Sequence, residues 1–164
     1  MIDAIFLDRD GTINNDTGYV HKPEELLILP GVIKGLQLLS FCRLFIITNQ
    51  SGIGRGYFTK EEFCTFNNLL VKKLNDNNIT ITKTYYCPHK PDAGCDCRKP
   101  RIKHLKEAER NYKVDLSRSY VIGDQVTDIE MGRKCGCKTM LVLTGHGKKQ
   151  HNNFAHKPDI IVNN

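Results

Sequence analysis

The stretch Ile2-Asp3-Ala4-Ile5-Phe6-Leu7-Asp8-Arg9-Asp10-Gly11-Thr12 sets the reading of the whole chain. Its first half, Ile2–Leu7, is short and mostly apolar, the pattern of a strand buried in a parallel sheet. Its second half changes to two carboxylates two residues apart, followed by the turn residue Gly11. The same change occurs twice more. Leu44–Ile47 runs into Thr48-Asn49-Gln50-Ser51, and Tyr120–Gly123 runs into Asp124, with Asp128 just beyond. Further short strands are expected at Thr84–Cys87, Met140–Leu143 and Ile160–Val162. Helical patterns fall between them, at Val32–Phe41, from the N-cap Thr59 to about Leu74, at Ile102–Tyr112 and at about Thr127–Cys135. Such alternation predicts an α/β fold, an open and mostly parallel sheet flanked by helices, with ligands beyond the carboxyl ends of the strands.

The 164 residues fit a single domain, 1–164, that buries a core without staples. With 40% hydrophobic and 26% charged residues, the composition is that of a soluble protein. No run approaches the roughly 20 apolar residues of a membrane helix. Acids interrupt the apolar N-terminus and no small-residue cleavage site follows, so a cytoplasmic protein is expected. The formal charge of +6 suits a small phosphorylated metabolite as well as nucleic acid. The basic residues are scattered and no aromatic residues are interleaved among them, which gives a nucleic-acid partner little support. A monomer is expected, with a tail from about Gly147 loosely ordered apart from its last short strand.

In a parallel sheet the ends carrying Asp8-Arg9-Asp10, Thr48-Asn49-Gln50-Ser51 and Asp124 share one edge. Carboxylates converging there repel unless a cation sits among them, and hard oxygen ligands suit Mg²⁺. Asp10-Gly11 as a turn and Asp124 as a helix cap would explain each cluster alone, but not their common placement. A second constellation is Cys87-Pro88-His89 with Cys95-Asp96-Cys97, three thiols and an imidazole within eleven residues. That is the ligand set of a closed, structural zinc site. Cys42, Cys64, Cys135 and Cys137 read as small packing residues.

Asp8-Arg9-Asp10-Gly11-Thr12 resembles the first motif of the haloacid dehalogenase (HAD) superfamily of phosphatases. Thr48, Lys99 and Gly123-Asp124-Gln125-Val126-Thr127-Asp128 resemble its second, third and fourth motifs, in order, over Ile5 to about Leu143. The resemblance implies a Rossmann-like HAD fold and Mg-dependent hydrolysis of a small phosphomonoester through an aspartyl-phosphate on Asp8. It makes Asp10 the general acid and base, and Thr48 and Lys99 the groups that bind the phosphoryl oxygens. Asp8, the carbonyl of Asp10 and Asp124 would hold Mg²⁺, with Asp128 supporting the metal shell or Lys99.

Cys87, His89, Cys95 and Cys97, followed by Arg98-Lys99-Pro100, are similar to the branch containing D-glycero-D-manno-heptose 1,7-bisphosphate phosphatases and histidinol-phosphate phosphatases. These are short enzymes without a large cap domain, and neither Gly11–Pro30 nor Leu44–Ser51 leaves room for one here. Asp16, Gly18 and Tyr19, with Asn49, Gln50 and Ser51, look like the sugar-recognition segments of the heptose enzymes, where Arg98 also contributes. A guanidinium can hold a second phosphate bidentately. Two positions depart from that pattern. Arg101-Ile102-Lys103 stands where those enzymes continue Pro-Gly-Met, closer to the histidinol-phosphate pattern, and Gln125 replaces a lysine. The expected substrate is the 7-phosphate of the heptose bisphosphate. Histidinol phosphate is the alternative, and a zinc-stabilised nucleic-acid-binding module is the alternative of another class. Gly52-Ile53-Gly54-Arg55-Gly56 reads as a flexible turn.

Overall fold

Ala4–Leu7 forms β1 at the centre of the sheet, every residue of it buried. Its side chains alternate between faces, Ile5 and Leu7 toward one hydrophobic cluster and Ala4 and Phe6 toward the other. The computed structural model describes residues 2–152 and 157–164. The remaining strands are β2 (Arg43–Asn49), β3 (Ile81–Cys87), β4 (Tyr120–Gly123), β5 (Lys138–Val142) and β6 (Ile160–Val162). They pair in the order β3-β2-β1-β4-β5-β6, and every pairing is parallel. Chain order reverses across β1 and β4, which opens a crevice at their carboxyl ends.

The helices are α1 (Val32–Leu38), α2 (Ser51–Arg55), α3 (Lys60–Asn75), α4 (Lys103–Tyr112), α5 (Val126–Lys134) and α6 (Gly147–Gln150). Thr59 caps α3 as expected. Its hydroxyl accepts from Glu62 N at 3.1 Å, and Glu62 Oε2 accepts from Thr59 N at 2.7 Å, so two orphan donors are satisfied reciprocally. Phe66, Leu70 and Leu74 of α3 then pack with Leu36 of α1 onto the Ile5–Leu7 face. Leu105 and Ala108 of α4 and Met131 of α5 cover the other. Burying a Leu or Phe side chain contributes about 1.5–3 kcal/mol.

Some boundaries differ from expectation. β1 begins at Ala4, and just before it the Asp3 side chain ties in the segment ahead of β4, its Oδ2 accepting from Asp115 N at 2.6 Å. α1 stops at Leu38, since the chain turns at Cys42, whose N–H donates to Leu39 O, before β2 starts. Gly52–Gly56 is no flexible turn: residues 51–55 form α2, and its glycines make room for neighbours. A Cβ on Gly52 would stand 2.1 Å from the Phe58 ring, and one on Gly54 would stand 2.7 Å from Pro88 O. In the tail, α6 is fastened to α5 by Val126 N donating to Gln150 Oε1 at 2.7 Å, while residues 153–156 lie outside the described residues. Cys137 is buried, and Cys135 packs against the same cluster. Among the described residues, no helix is long and apolar enough to cross a membrane.

Candidate active site

Asp8 leaves the end of β1 and Asp124 the end of β4, the two strands that flank the reversal in chain order. Asp8 N donates to Ile122 O at 2.9 Å, which fixes the nearer carboxylate against the neighbouring strand. Asp128 arrives from the first turn of α5, with its Oδ2 accepting from Gln125 N at 3.2 Å. The carboxylates of Asp8, Asp124 and Asp128 are buried, and one oxygen from each lies within 4.8 Å of the others. Lys99 reaches in from the segment before α4. Its Nζ stands 2.7 Å from Asp8 Oδ1 and 2.7 Å from Asp128 Oδ1, and donates to Ile47 O at 2.8 Å.

Three carboxylates and one ammonium leave this buried cluster with excess negative charge. Burial pushes the Asp8 carboxyl well above the ordinary range, the Lys99 charge opposes this, and Asp128 and Asp124 add to it. Burial likewise pushes Asp124 up to about 6, against the His146 N–H bond and with the help of Asp128. For Lys99 burial works against the charge, but Asp128 and Asp8 outweigh it and hold the ammonium above the usual lysine range. Asp124 Oδ2 accepts from His146 N at 2.7 Å, whereas its buried Oδ1 has no partner among the described residues. An all-oxygen set with excess charge and an unspent buried oxygen fits a hard divalent cation.

Asp10 points elsewhere. Its Oδ1 accepts from Arg9 Nε and Asn14 Nδ2, both at 2.9 Å, and its Oδ2 accepts from Arg9 Nη2 and Gln50 Nε2, both at 2.8 Å. Its carboxylate therefore stays apart from the other three. Arg9 is itself fully buried. Its guanidinium carbon lies 5.4 Å from the Phe63 ring centroid and 4.7 Å from that of Phe66.

Above the cluster opens a cavity of about 300 Å³. Asp8, Asp10, Asp16, Gly18, Tyr19, Thr48, Asn49, Gln50, Ser51, Arg98 and Lys99 all line it, so the residues singled out in the sequence for catalysis and substrate binding meet at one place. Gln50 Nε2 also donates to Thr48 Oγ1 at 2.8 Å. Asn49 clamps the backbone of Lys99 from both sides: its Oδ1 accepts from Lys99 N at 3.1 Å, and its Nδ2 donates to Lys99 O at 3.4 Å. Sequence reasoning missed Asn14 and the segment Thr144-Gly145-His146, and gave Thr127 no role of its own within the fourth motif. Thr144 Oγ1 donates to Gly11 O at 2.6 Å. Thr127 and His146 line the same cavity.

Cys87 ends β3, and His89, Cys95 and Cys97 fold back onto it. Cys87 Sγ lies 3.6 Å from His89 Nδ1 and 3.6 Å from Cys95 Sγ, and His89 Nδ1 lies 3.3 Å from Cys97 Sγ. A tetrahedron with Zn–S of about 2.3 Å and Zn–N of about 2.0 Å has edges of roughly 3.5–3.8 Å, so these four atoms fit zinc. Burial raises the Cys87 thiol and pushes Cys97 up to about 12. Arg98 follows at once, its Nη1 3.5 Å from His89 O.

Comparison with known proteins agrees with this geometry. The model of the "HAD-hyrolase-like" family matches residues 96–164. A Photorhabdus laumondii protein named D-glycero-beta-D-manno-heptose-1,7-bisphosphate 7-phosphatase is 38% identical over 174 residues, covering 99% of this chain and 90% of its own. A Pasteurella multocida protein of the same name is 40% identical over 166 residues, covering 93% and 90%. The crystal structure of D,D-heptose 1,7-bisphosphate phosphatase from B. bronchiseptica, complexed with magnesium and phosphate, superimposes with a TM-score of 0.90 at 31% identity, covering 98% of this chain and 92% of that one. Four motifs gathered at one crevice and relatives matched along nearly their whole length lead to one conclusion: the chain belongs to the HAD superfamily of phosphatases, the phosphoric monoester hydrolases, in the branch of the heptose bisphosphate enzymes.

Proposed function

We propose that the chain removes the 7-phosphate of D-glycero-D-manno-heptose 1,7-bisphosphate through an aspartyl-phosphate on Asp8. One observation carries the reading: Asp8 and Lys99 stand at the floor of the cavity that Arg98 and the Asp16–Tyr19 loop also line. A bisphosphate needs cationic groups at two places, and Arg98 offers the second as a planar fork. The relatives bearing the heptose bisphosphate name support the same substrate.

Asp8 Oδ attacks phosphorus and the bond to the sugar oxygen breaks, which splits hydrolysis into two easier steps. Asp10, which lines the same cavity, gives a proton to the leaving alkoxide when it enters the step in its protonated form, and the carboxylate so formed then takes one from the water that cleaves the aspartyl-phosphate. Lys99 and Thr48 hold the phosphoryl oxygens, and Lys99 is kept charged for that role by Asp8 and Asp128. Asp8, the carbonyl of Asp10 and Asp124 would hold Mg²⁺, with Asp128 behind them. Bound there, the ion neutralises charge on the transferring group. The four-ligand cluster leaves no position open for water, so its zinc is structural. The reading is of a monomer acting on a small metabolite. Thiol ligands that stay reduced suit the cytoplasm.

The test is kcat/KM with Mg²⁺ on the heptose bisphosphate, on histidinol phosphate and on simple sugar monophosphates. The bisphosphate should lead the panel by at least about tenfold, and chelation of Mg²⁺ should abolish turnover. A lead for histidinol phosphate would replace the substrate but keep the chemistry.

A further inference from the structure

His146, just after β5, joins two parts of the site that come from distant segments of the chain. Its main-chain N–H donates to Asp124 Oδ2 at 2.7 Å, the oxygen turned away from the unpartnered Oδ1. Its imidazole Nε2 stands 3.3 Å from Asp16 Oδ2, on the loop after β1. The other oxygen of Asp16 accepts from Gly18 N at 2.8 Å, an Asx turn that delivers Tyr19 in the left-handed region at φ 55°. The Tyr19 ring then meets the Tyr57 ring edge-on, with centroids 4.8 Å apart. One residue therefore holds the carboxylate through its backbone and the roof of the cavity through its side chain.

The backbone half of this arrangement has no slack. A Cβ on Gly145 would stand 2.2 Å from Asp124 Oδ2 and 2.7 Å from Gly11 Cα, so the chain at 145 is pressed between the fourth motif and the first. Thr144 fastens the same segment to Gly11 O. The side-chain half is different in kind, because the imidazole is half exposed while Asp16 is mostly covered. Such a pair adds little to global stability. Its leverage lies in ordering a loop before the ligand arrives, which lowers the entropy cost of binding.

We propose that His146 is a positioning residue for the sugar substrate: it clasps the Asp16–Tyr19 loop in register with Asp124. This rests on the substrate assignment made above. A ligand whose body reaches the loop gains from the clasp, and a phosphate ester too small or flat to engage the loop gains much less. The clasp also ties recognition to the metal end of the site, because imidazole and N–H belong to one residue.

His146→Ala removes the imidazole and keeps the main-chain bond to Asp124. With Mg²⁺-loaded protein, KM for the heptose bisphosphate should rise about 3–10-fold while kcat at saturation moves by less than about twofold. The rise in KM for p-nitrophenyl phosphate should be smaller than the rise for the sugar. His146→Gln, whose amide can still donate to Asp16, should recover most of the loss. Independently of any substrate, amide hydrogen exchange at Gly18–His21 should quicken in His146→Ala and return toward the wild-type rate in His146→Gln. An unchanged KM for the sugar, equal losses on both substrates, or unaltered exchange in the loop would each overturn the clasp. If the wild-type enzyme shows no preference for the bisphosphate, the substrate assignment falls, and the exchange measurement still decides the role of His146.

Discussion

The guanidinium of Arg9 forks onto the carboxylate of Asp10, with Nε 2.9 Å from Oδ1 and Nη2 2.8 Å from Oδ2. The fork is aimed by its surroundings, since Arg9 is fully buried beside the rings of Phe63 and Phe66 and also donates to Val20 O. Lysine keeps the charge but loses both the planar fork and the ring contacts. Arg9→Lys should lower kcat by about 10²-fold with a smaller change in KM, the signature of a displaced acid and base. Steady-state kinetics on the purified, folded variant checks it.

Asp8→Asn removes the nucleophile while leaving a side chain of the same shape. Turnover should fall by more than about 10⁴-fold. Lys99 keeps its contacts with Asp128 and Ile47 O, so the circular dichroism spectrum should match that of the wild type. Substantial residual hydrolysis would remove Asp8 from its role.

Without Mg²⁺, Asp124 in the folded chain titrates at about 6, against an ordinary value of 3.8. A raised carboxyl favours the folded state at low pH, and this contribution is lost as pH rises through the folded value. Between about pH 4 and 6, metal-free protein should therefore lose stability from this group as pH rises, with Tm falling by at least about 3 °C. Mg²⁺ competes with the same protons, so its affinity should rise with pH over that window. Thermal melts with and without Mg²⁺ give both slopes.

Gly145→Ala places a methyl carbon against Asp124 Oδ2 in a residue already at φ 48°. The carboxylate or the β5 loop must shift. Mg²⁺ binding by calorimetry should weaken at least about tenfold, a loss comparable to that of a supporting ligand contact. Gly136→Ala is the control, since that glycine also has positive φ but open space where the Cβ would stand.

Stripping zinc from the four-ligand cluster should lower Tm and loosen the segment from 88 to 98, measured by proteolysis before and after chelation. Metal analysis of protein never exposed to chelator should find about one equivalent of zinc.

Much of this was legible in the sequence because burial on both faces of a central strand leaves an apolar run. The abrupt polar ends of β1, β2 and β4 then mark the crevice. The N-cap at Thr59 was equally visible, because a hydroxyl followed by acids in the first turn is a local signal, while the return bond from Glu62 emerged only in the structure. What escaped has a different physical basis. Gly52, Gly54 and Gly56 read as a turn, since nothing local announces Phe58 and Pro88 as the neighbours that require glycine at 52 and 54 within a helix, with Gly56 its left-handed C-cap. The loop after β5 contributes a main-chain N–H and a glycine contact, neither of which a side-chain pattern records, and a Thr144 hydroxyl whose partner, Gly11 O, lies far away in the chain. Asp10 was seen as an acid, but the cradle that turns it toward Arg9, Asn14 and Gln50 depends on Phe63 and Phe66, far along the chain.

The two-way grip of Asn49 on the backbone of Lys99 has an outcome for inhibition. Lys99 follows Cys97 by only two residues, so the thiol cluster and one amide on β2 together set where the ammonium stands. Reagents that capture those sulfurs would disarm phosphate transfer from outside the catalytic pocket. Their potency would owe nothing to likeness with a sugar, and crowding the assay with substrate would not relieve it.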